Sequence, residues 1–254
     1  MSLINIKFSS GVLKRGTDIN VIIPQQTHGY EIGIDSSAHE KSNYKTLILL
    51  HGLSDDHTTW IRRTSIERYA AEYGIAIIMP NGDRSFYTDM EYGSKYYTYI
   101  TEEVPRIARE YLPLSSKRED NFIAGLSMGG YGALKIGMKN PHRFAACAGL
   151  SSVADVKSFM EKYAPDDGKL IFGEKGVPES EDLFAIAENL NKSTLKPRIY
   201  MGVGTEDFMY EENLRLRDKF KSLDFDFTYR ESKGDHCWAF WDEYIRYVLK
   251  WMLT

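Results

Sequence analysis

Five short runs of apolar residues recur along the chain, and they constrain its fold more than any other feature. They occupy residues 46–50, 75–79, 122–126, 144–150 and 199–203. Continuous apolar runs of this length are typical of strands buried on both faces, as in a parallel sheet. Residues 226–231 indicate a weaker last strand. Helix-like segments separate the runs, so the sequence predicts an α/β fold with a mostly parallel sheet and helices on both faces.

The N-terminus shows a different pattern, in which apolar and polar residues alternate. The apolar members are Ile4, Ile6 and Phe8 in one set, and Ile19, Val21 and Ile23 in the next. A period of two, with turn residues between the sets, is typical of two antiparallel strands. We therefore expect an antiparallel pair at one edge of the sheet.

Three segments carry apolar residues at helical spacing. The stripes are Ile66, Tyr69, Ala70 and Tyr73; Ile100, Val104, Ile107 and Tyr111; and Trp241, Tyr244, Ile245, Val248, Leu249 and Met252. Gly74 is placed to end the first helix, because glycine readily adopts the left-handed conformation of a C-cap. Pro105 predicts a kink or a first-turn position in the second helix.

The chain length fits one domain. A chain of 254 residues is an ordinary size for a large α/β domain, so we expect residues 1–254 to form a single unit. Residues 151–197 interrupt the rhythm of strands and helices and are too long for a plain connection. We expect this stretch, called the excursion below, to form a small cap over one end of the sheet.

Charge and cysteine content narrow the class of protein. Lys and Arg total 32 against 36 Asp plus Glu, a net charge of −4, which argues against a nucleic-acid-binding surface. No apolar run approaches the roughly 18 residues of a membrane span, and the first residues do not resemble a signal peptide. Two cysteines, Cys147 and Cys237, do not indicate a disulfide framework, so a cytoplasmic location is expected. The oligomeric state stays open, with a homo-oligomer as one alternative.

One motif carries the clearest chemical signal. Residues 125–130 read Gly-Leu-Ser-Met-Gly-Gly, which matches G-x-S-x-G and stands between an apolar run and a helix-like stretch. A nucleophilic serine on a tight strand-to-helix turn needs small residues on both sides, because its backbone is strained. The free N–H groups of a helix N-terminus also favour negative charge there. A plain glycine-rich turn is the alternative, and the position between strand and helix favours Ser127 as a nucleophile.

A second element follows the run at 46–50 and reads His51-Gly52-Leu53. Ligands of such sheets bind at the carboxyl ends of the strands. Gly52 allows a sharp turn, so the N–H groups of Leu53 and Met128 are expected to form an oxyanion hole. His51 is expected to hold the loop by hydrogen bonds rather than to act as the catalytic base.

The catalytic base should be a histidine, and the chain has six. His236, the preferred candidate, stands after the last strand-like run and before the C-terminal helix. His57 is the runner-up, because it shares a loop with His51. His28, His39 and His142 are expected at the surface, the last at the far end of the helix that follows Ser127.

The acid that orients the base should lie between nucleophile and histidine in the chain. Asp207 follows the run at 199–203, so the three candidates occur in the order Ser127, Asp207, His236. The order serine, acid, histidine is one of those that hydrolases with such a triad use. Glu206 is the main rival, because one residue of loop register would exchange the two. Asp235 is a weaker rival, since neighbouring side chains rarely face each other.

These motifs resemble the α/β-hydrolase superfamily, and within it the Putative esterase family of tributyrin and acetyl esterases, S-formylglutathione hydrolases and feruloyl esterases. The resemblance covers nearly the whole chain and rests on LLHGLSDDHTTW, IIMPNGDRSFYTDM, FIAGLSMGGYGALKIG, GTED and HCWAFWD. It implies a serine carboxylesterase for short acyl esters that needs no cofactor. It implies Ser127 as nucleophile, Asp207 as acid, His236 as base, and Leu53 and Met128 as oxyanion donors.

One departure bears on the substrate. S-formylglutathione hydrolases carry a cysteine in the loop where this chain has Ser54, Asp55 and Asp56, so that activity is the weaker expectation. Three other activities stay open as alternatives on the same triad: hydrolysis of feruloyl esters, hydrolysis of acetyl-sugar esters, and acyl transfer. The non-enzyme alternative is a binding module that has the hydrolase fold. No H-E-x-x-H or C-x-x-C pattern indicates a metal, and no complete nucleotide-binding motif is present.

The substrate pocket is less constrained. We expect His51, Gly52, Tyr87 and Trp238 to contact a small-molecule ester. The aromatic residues Phe86, Tyr87, Tyr92, Tyr96, Tyr97 and Tyr99 either line this pocket or pack beneath a loop. The excursion is the other expected wall, and it lacks the long apolar helix of a lipase lid, which favours short acyl chains.

Overall fold

The computed structural model describes residues 1–24 and 43–254. The expected surface histidines His28 and His39 lie outside the described residues. The strands are β1 Ser2–Ser10, β2 Arg15–Ile23, β3 Thr46–Leu50, β4 Ala76–Pro80, β5 Asn121–Leu126, β6 Ala146–Leu150, β7 Arg198–Gly204 and β8 Phe227–Ser232. The α-helices are α1 Thr59–Arg63, α2 Ile66–Tyr73, α3 Tyr96–Thr98, α4 Val104–Tyr111, α5 Met128–Lys139, α6 Val156–Tyr163, α7 Pro165–Phe172, α8 Leu183–Asn191, α9 Tyr210–Lys221 and α10 Trp238–Leu253.

The eight strands form one sheet in the order β1-β2-β4-β3-β5-β6-β7-β8. Strand β2 runs antiparallel to both β1 and β4, and the strands from β4 to β8 are parallel. Every residue of β3, β4, β5 and β6 is buried, as the continuous apolar runs predict. The predicted mostly parallel sheet with an antiparallel N-terminal edge is confirmed.

Helices cover both faces of the sheet. One apolar layer contains residues of α2 and α10, and the other contains residues of α4, α5 and the excursion. Gly74 ends α2 in the left-handed conformation, with a φ of 62°. All six apolar residues of the predicted C-terminal stripe are buried in α10. The prediction that Tyr111 lies on the buried face of α4 is wrong. Tyr111 is the last residue of that helix, and 64% of its surface is exposed.

Pro105 lies in the first turn of α4, one of the two predicted positions. A π-helical turn, Tyr99–Glu103, precedes α4. Proline has no N–H to donate to the carbonyl four residues earlier, which here belongs to Thr101. That carbonyl oxygen instead accepts a hydrogen bond from Arg143 Nη1 at 2.6 Å. The guanidinium of a distant residue therefore satisfies the acceptor that proline leaves free.

The excursion contains α6, α7, a 3₁₀ turn at Glu179–Glu181, and α8, and each α-helix has eight or nine residues. Tyr131 on α5 donates its hydroxyl to the Glu181 carbonyl at 2.7 Å, so the excursion contacts the helix that follows Ser127. The backbone N–H groups of Glu91 and Tyr92 bond α7 carbonyls at 2.9 and 3.0 Å. Within the described ranges, no helix is long and apolar enough to cross a membrane.

Candidate active site

Ser127 occupies the turn between β5 and α5. Its backbone has a φ of 54° and a ψ of −119°, a strained conformation for a residue with a side chain. A Cβ on Gly125 would lie 2.3 Å from the carbonyl oxygen of Gly129, and a Cβ on Gly129 would lie 2.5 Å from that of His51. Only glycine fits at these two positions. The close approach of the backbone segments explains the spacing of the G-x-S-x-G motif.

The chain brings Ser127, His236 and Asp207 together from three loops at the carboxyl ends of the strands. Ser127 Oγ lies 3.1 Å from His236 Nε2. His236 Nδ1 lies 2.9 and 3.1 Å from the two carboxylate oxygens of Asp207. Because Nδ1–H donates to a carboxylate, Nε2 is free to accept the hydroxyl proton of Ser127. These distances fit the roles expected for the three residues, which are nucleophile, base and orienting acid.

Asp207 is held as a carboxylate. Burial alone would raise its pKa, but the hydrogen bond and charge of His236, the Met209 N–H and the Ser151 side chain together lower it. The Met209 N–H donates to Asp207 Oδ1 at 2.9 Å. The carboxylate therefore keeps its negative charge beside the His236 ring.

The alternative candidates for the acid and the base have other surroundings than Asp207 and His236. The side chain of Glu206 is 56% exposed, with Lys233 Nζ at 3.7 Å. Asp235 is exposed. His57 Nε2 lies 3.4 Å from Asp18 on strand β2, and His142 is exposed beyond the end of α5, as predicted. Within the part of the chain that is described, none of the four forms a hydrogen bond with Ser127.

The N–H groups of Leu53 and Met128, which are expected to form the oxyanion hole, belong to backbone next to Ser127. Gly52 is buried beside the nucleophile, and a Cβ built on it would lie 3.8 Å from Ser127 Cβ. Its successor is Leu53, and Met128 is the first residue of α5. Neither the Leu53 nor the Met128 N–H donates a hydrogen bond to any residue in the ranges 1–24 and 43–254. Both donors are thus available to an oxyanion.

The substrate contacts predicted for His51 and Tyr87 need correction. His51 is buried; its Nδ1 lies 2.7 Å from the Gly52 carbonyl, and its Nε2 accepts the Gly82 N–H at 2.8 Å. Burial lowers the pKa of His51, which keeps the ring neutral. Tyr87 is fully buried and donates its hydroxyl to the His51 carbonyl at 2.8 Å. Both side chains support the Gly52 turn from beneath and cannot touch a substrate.

Some of the other aromatic residues are buried in the core, and others lie close to His236. Phe86, Tyr96 and Tyr99 are buried, so the packing alternative holds for them. Trp238 is partly exposed, and its ring packs edge-on against Trp60 and Trp241 at centroid distances of 5.2 and 5.3 Å. The Trp241 ring in turn meets the His236 ring at 4.9 Å. Trp238 therefore belongs to an aromatic cluster that ends at His236.

Three residues at the site escaped the sequence reasoning. Phe208 packs edge-on against His236 at 4.8 Å, and Tyr163 of α6 packs against Phe208 at 5.7 Å. Ser151 is buried, has a φ of 46°, and accepts a hydrogen bond from Trp241 Nε1 at 3.1 Å. Phe208 could have been found from its position directly after Asp207. Tyr163 and Ser151 carry no local signal, because their partners are distant in the chain.

The fold and the site define a carboxylic ester hydrolase of the α/β-hydrolase type. The chain belongs to the Putative esterase family, whose model matches residues 10–251. An acetyl esterase of Caldicellulosiruptor saccharolyticus is 33% identical over 266 aligned residues, which cover 99% of this chain and 98% of that protein. The resemblance seen in the sequence is confirmed.

Two solved structures from Staphylococcus aureus are similar along the whole chain. Fluorophosphonate-binding serine hydrolase F, solved with substrate bound, has a TM-score of 0.89 at 35% identity and covers 100% of this chain and 98% of its own. The apoenzyme of an S-formylglutathione hydrolase has a TM-score of 0.86 at 35% identity, with 100% and 99% covered. No group of three or more potential metal ligands occurs in the described part of the chain.

Proposed function

We propose that this protein is a serine esterase that hydrolyses short-chain acyl esters through a covalent acyl-enzyme on Ser127. The observation that carries the proposal is the continuous set of hydrogen-bond distances from Ser127 Oγ through His236 to Asp207. The acetyl esterase of Caldicellulosiruptor saccharolyticus supports a short acyl group. The short helices of the excursion support it as well, since none offers a long apolar face to a fatty chain.

In the first half-reaction, His236 Nε2 takes the proton of Ser127 as Oγ attacks the ester carbonyl. The carbonyl oxygen becomes negatively charged and accepts hydrogen bonds from the Leu53 and Met128 N–H groups. The imidazolium then gives the proton to the leaving oxygen as the carbon–oxygen bond breaks. An alcohol departs, and the acyl group remains on Ser127.

In the second half-reaction, His236 takes a proton from water, and the resulting hydroxide attacks the acyl carbon. The same two N–H groups hold the oxyanion while the bond to Ser127 Oγ breaks. The proton returns from His236 to Oγ, and the carboxylic acid leaves. Asp207 keeps its charge throughout and stabilises each imidazolium.

A thioesterase is the second candidate, and the similarity to an S-formylglutathione hydrolase over the whole chain favours it. The triad would be the same, with a thiol as the leaving group. Parallel kcat/KM measurements on p-nitrophenyl acetate and S-formylglutathione separate the two candidates. We expect the oxygen ester to react faster.

The decisive test is labelling by a fluorophosphonate followed by peptide mapping. We expect one label per chain on the peptide that contains Ser127, and none on Ser127→Ala. That variant should lose roughly 10⁴- to 10⁶-fold in kcat, by analogy with serine hydrolases. Ser54→Ala, in an exposed position of the loop after Gly52, is the matched control and should retain activity. Ester hydrolysis at a near-normal rate by Ser127→Ala would refute the proposal.

A further inference from the structure

Two exposed aromatic rings stand beside the histidine of the site. Phe208 is 57% exposed and Tyr163 is 58% exposed, although both are large and apolar. The Phe208 ring lies 4.8 Å from the His236 ring, and the Tyr163 ring lies 5.7 Å from Phe208. We call Tyr163 and Phe208 the aromatic wall.

Contacts with buried neighbours keep the two rings of the aromatic wall exposed to solvent. The neighbours of Phe208, Asp207 and Met209, are both buried and are joined by a hydrogen bond from the Met209 N–H to the Asp207 carboxylate. With both neighbours fixed inward, the Phe208 side chain must project toward solvent. Tyr163 packs against buried Phe159 at 5.3 Å. The exposure therefore follows from a packed framework, and burying these rings against a ligand would recover free energy.

The chemistry of the proposed triad decides which part of an ester meets the wall. His236 Nε2 must come within hydrogen-bond distance of the leaving oxygen to protonate it. The carbonyl oxygen points instead to the N–H groups of Leu53 and Met128. The carbon chain attached to the leaving oxygen therefore passes alongside the imidazole, whose ring Phe208 already covers.

We propose that the aromatic wall binds the alcohol part of the substrate and gives the enzyme a preference for esters of aromatic alcohols over esters of small alkyl alcohols. This inference rests on the proposed function. Aromatic rings gain most from edge-on or offset contact with another ring. The leaving alcohol that fits best is therefore planar and apolar.

The test compares two acetates, benzyl acetate and methyl acetate, whose alcohols are of similar acidity, so that the ratio of kcat/KM reports binding rather than leaving-group chemistry. We expect wild-type enzyme to prefer the benzyl ester. Phe208→Ala should lower the benzyl-to-methyl ratio roughly 3- to 10-fold, the range expected for loss of one aromatic pair. Phe208→Leu keeps apolar bulk over His236 and should lower the ratio less. Tyr163→Ala should also lower it.

Tyr111→Ala is the matched control, since Tyr111 is an exposed aromatic residue at the far end of α4. It should leave the ratio unchanged. The inference is overturned if Phe208→Ala leaves the ratio unchanged, or if it alters the ratio of benzyl butyrate to benzyl acetate instead, which would place the wall on the acyl side. Both outcomes require an active enzyme, whereas failure of the proposed function would show as activity that survives Ser127→Ala.

Discussion

A buried ion pair joins the excursion to the helix that follows Ser127. Lys135, on α5, has no exposed surface, and its Nζ lies 2.6 Å from Glu181 Oε2. The same ammonium donates to Thr88 Oγ1 at 2.7 Å and to the Phe86 carbonyl at 3.1 Å. Three acceptors thus match the three protons of the ammonium group. Burial lowers the pKa of Lys135 to about 8, against the opposing effect of Glu181.

We expect Glu181→Gln to destabilise the protein by about 3 kcal/mol. Removing one partner of a buried pair costs about 3–5 kcal/mol, because the remaining charge is left uncompensated. The lower end applies here, since Thr88 and Phe86 still accept hydrogen bonds and Lys135 is able to lose its proton. Replacing both partners, as in Lys135→Met with Glu181→Gln, should restore part of the stability because no buried charge remains.

Chemical unfolding followed by the fluorescence of the four tryptophans measures the effect. A loss of 3 kcal/mol also corresponds to a fall in Tm of about 6–12 °C for a chain of this size. Glu179→Gln, at an exposed position in the same 3₁₀ turn, is the matched control and should change stability by less than about 0.5 kcal/mol. An equally small change for Glu181→Gln would refute the reasoning.

The pH dependence gives a second readout with a defined sign. A lysine whose pKa is lower in the folded than in the unfolded protein binds fewer protons when folded, so its contribution to stability rises with pH. Without Glu181, the pKa of Lys135 falls further. The stability deficit of Glu181→Gln should therefore shrink as pH rises toward about 8, where the wild-type lysine begins to titrate. A deficit that grows with pH over this range would contradict a charged Lys135.

Three further outcomes follow from the site. Asp207→Asn should lower kcat by about 10⁴-fold, the loss known for the corresponding change in a serine protease. Glu206→Gln and Asp235→Asn should keep a kcat near that of the wild type. A larger loss in either of these two variants would assign the orienting acid to that residue instead of Asp207. Ser151→Ala should lower kcat by roughly tenfold at unchanged KM, a loss comparable to that of about one hydrogen bond. The Ser151 hydroxyl accepts from Trp241 Nε1 and helps to lower the pKa of Asp207, so its loss should weaken the support of His236. A wild-type kcat would show that Ser151 does not take part. Across p-nitrophenyl esters, kcat/KM should peak from acetate to butyrate, since an added methylene contributes about 0.8 kcal/mol only where it is buried; a maximum at decanoate would contradict a short acyl pocket.

The sequence predicts the sheet well because each strand depends on local composition. Strands buried on both faces must be apolar throughout, and the run at 46–50 is strand β3 to the residue. The Ser127 turn is equally predictable, because Gly125 and Gly129 are required by backbone contacts close to the serine in the fold. Patterns of this kind are visible in one short window of sequence.

Contacts between distant segments were not predictable in the same way. Tyr87 looks like a pocket residue in sequence, but its ring fills the space that a Cβ on Gly132 would enter at 2.4 Å. Tyr111 continues a helical stripe, yet periodicity does not reveal that α4 ends there with the ring exposed. Tyr163 of α6 contacts Phe208, which belongs to a distant loop, and no spacing rule encodes that contact.

The excursion contacts both the helix that follows Ser127 and the aromatic wall, so the ion pair and the alcohol preference can be connected. Through Glu181 it is fixed to α5, and through Tyr163 it contacts Phe208 beside His236. If the ion pair sets the position of α6, then Glu181→Gln should lower the benzyl-to-methyl ratio of kcat/KM while the methyl ester reacts at close to the wild-type rate. The measurement is made well below the Tm of the variant, with Glu179→Gln as control. A ratio that stays at the wild-type value in a clearly destabilised Glu181→Gln would mean that contacts such as Phe159 to Tyr163 hold the wall without the ion pair.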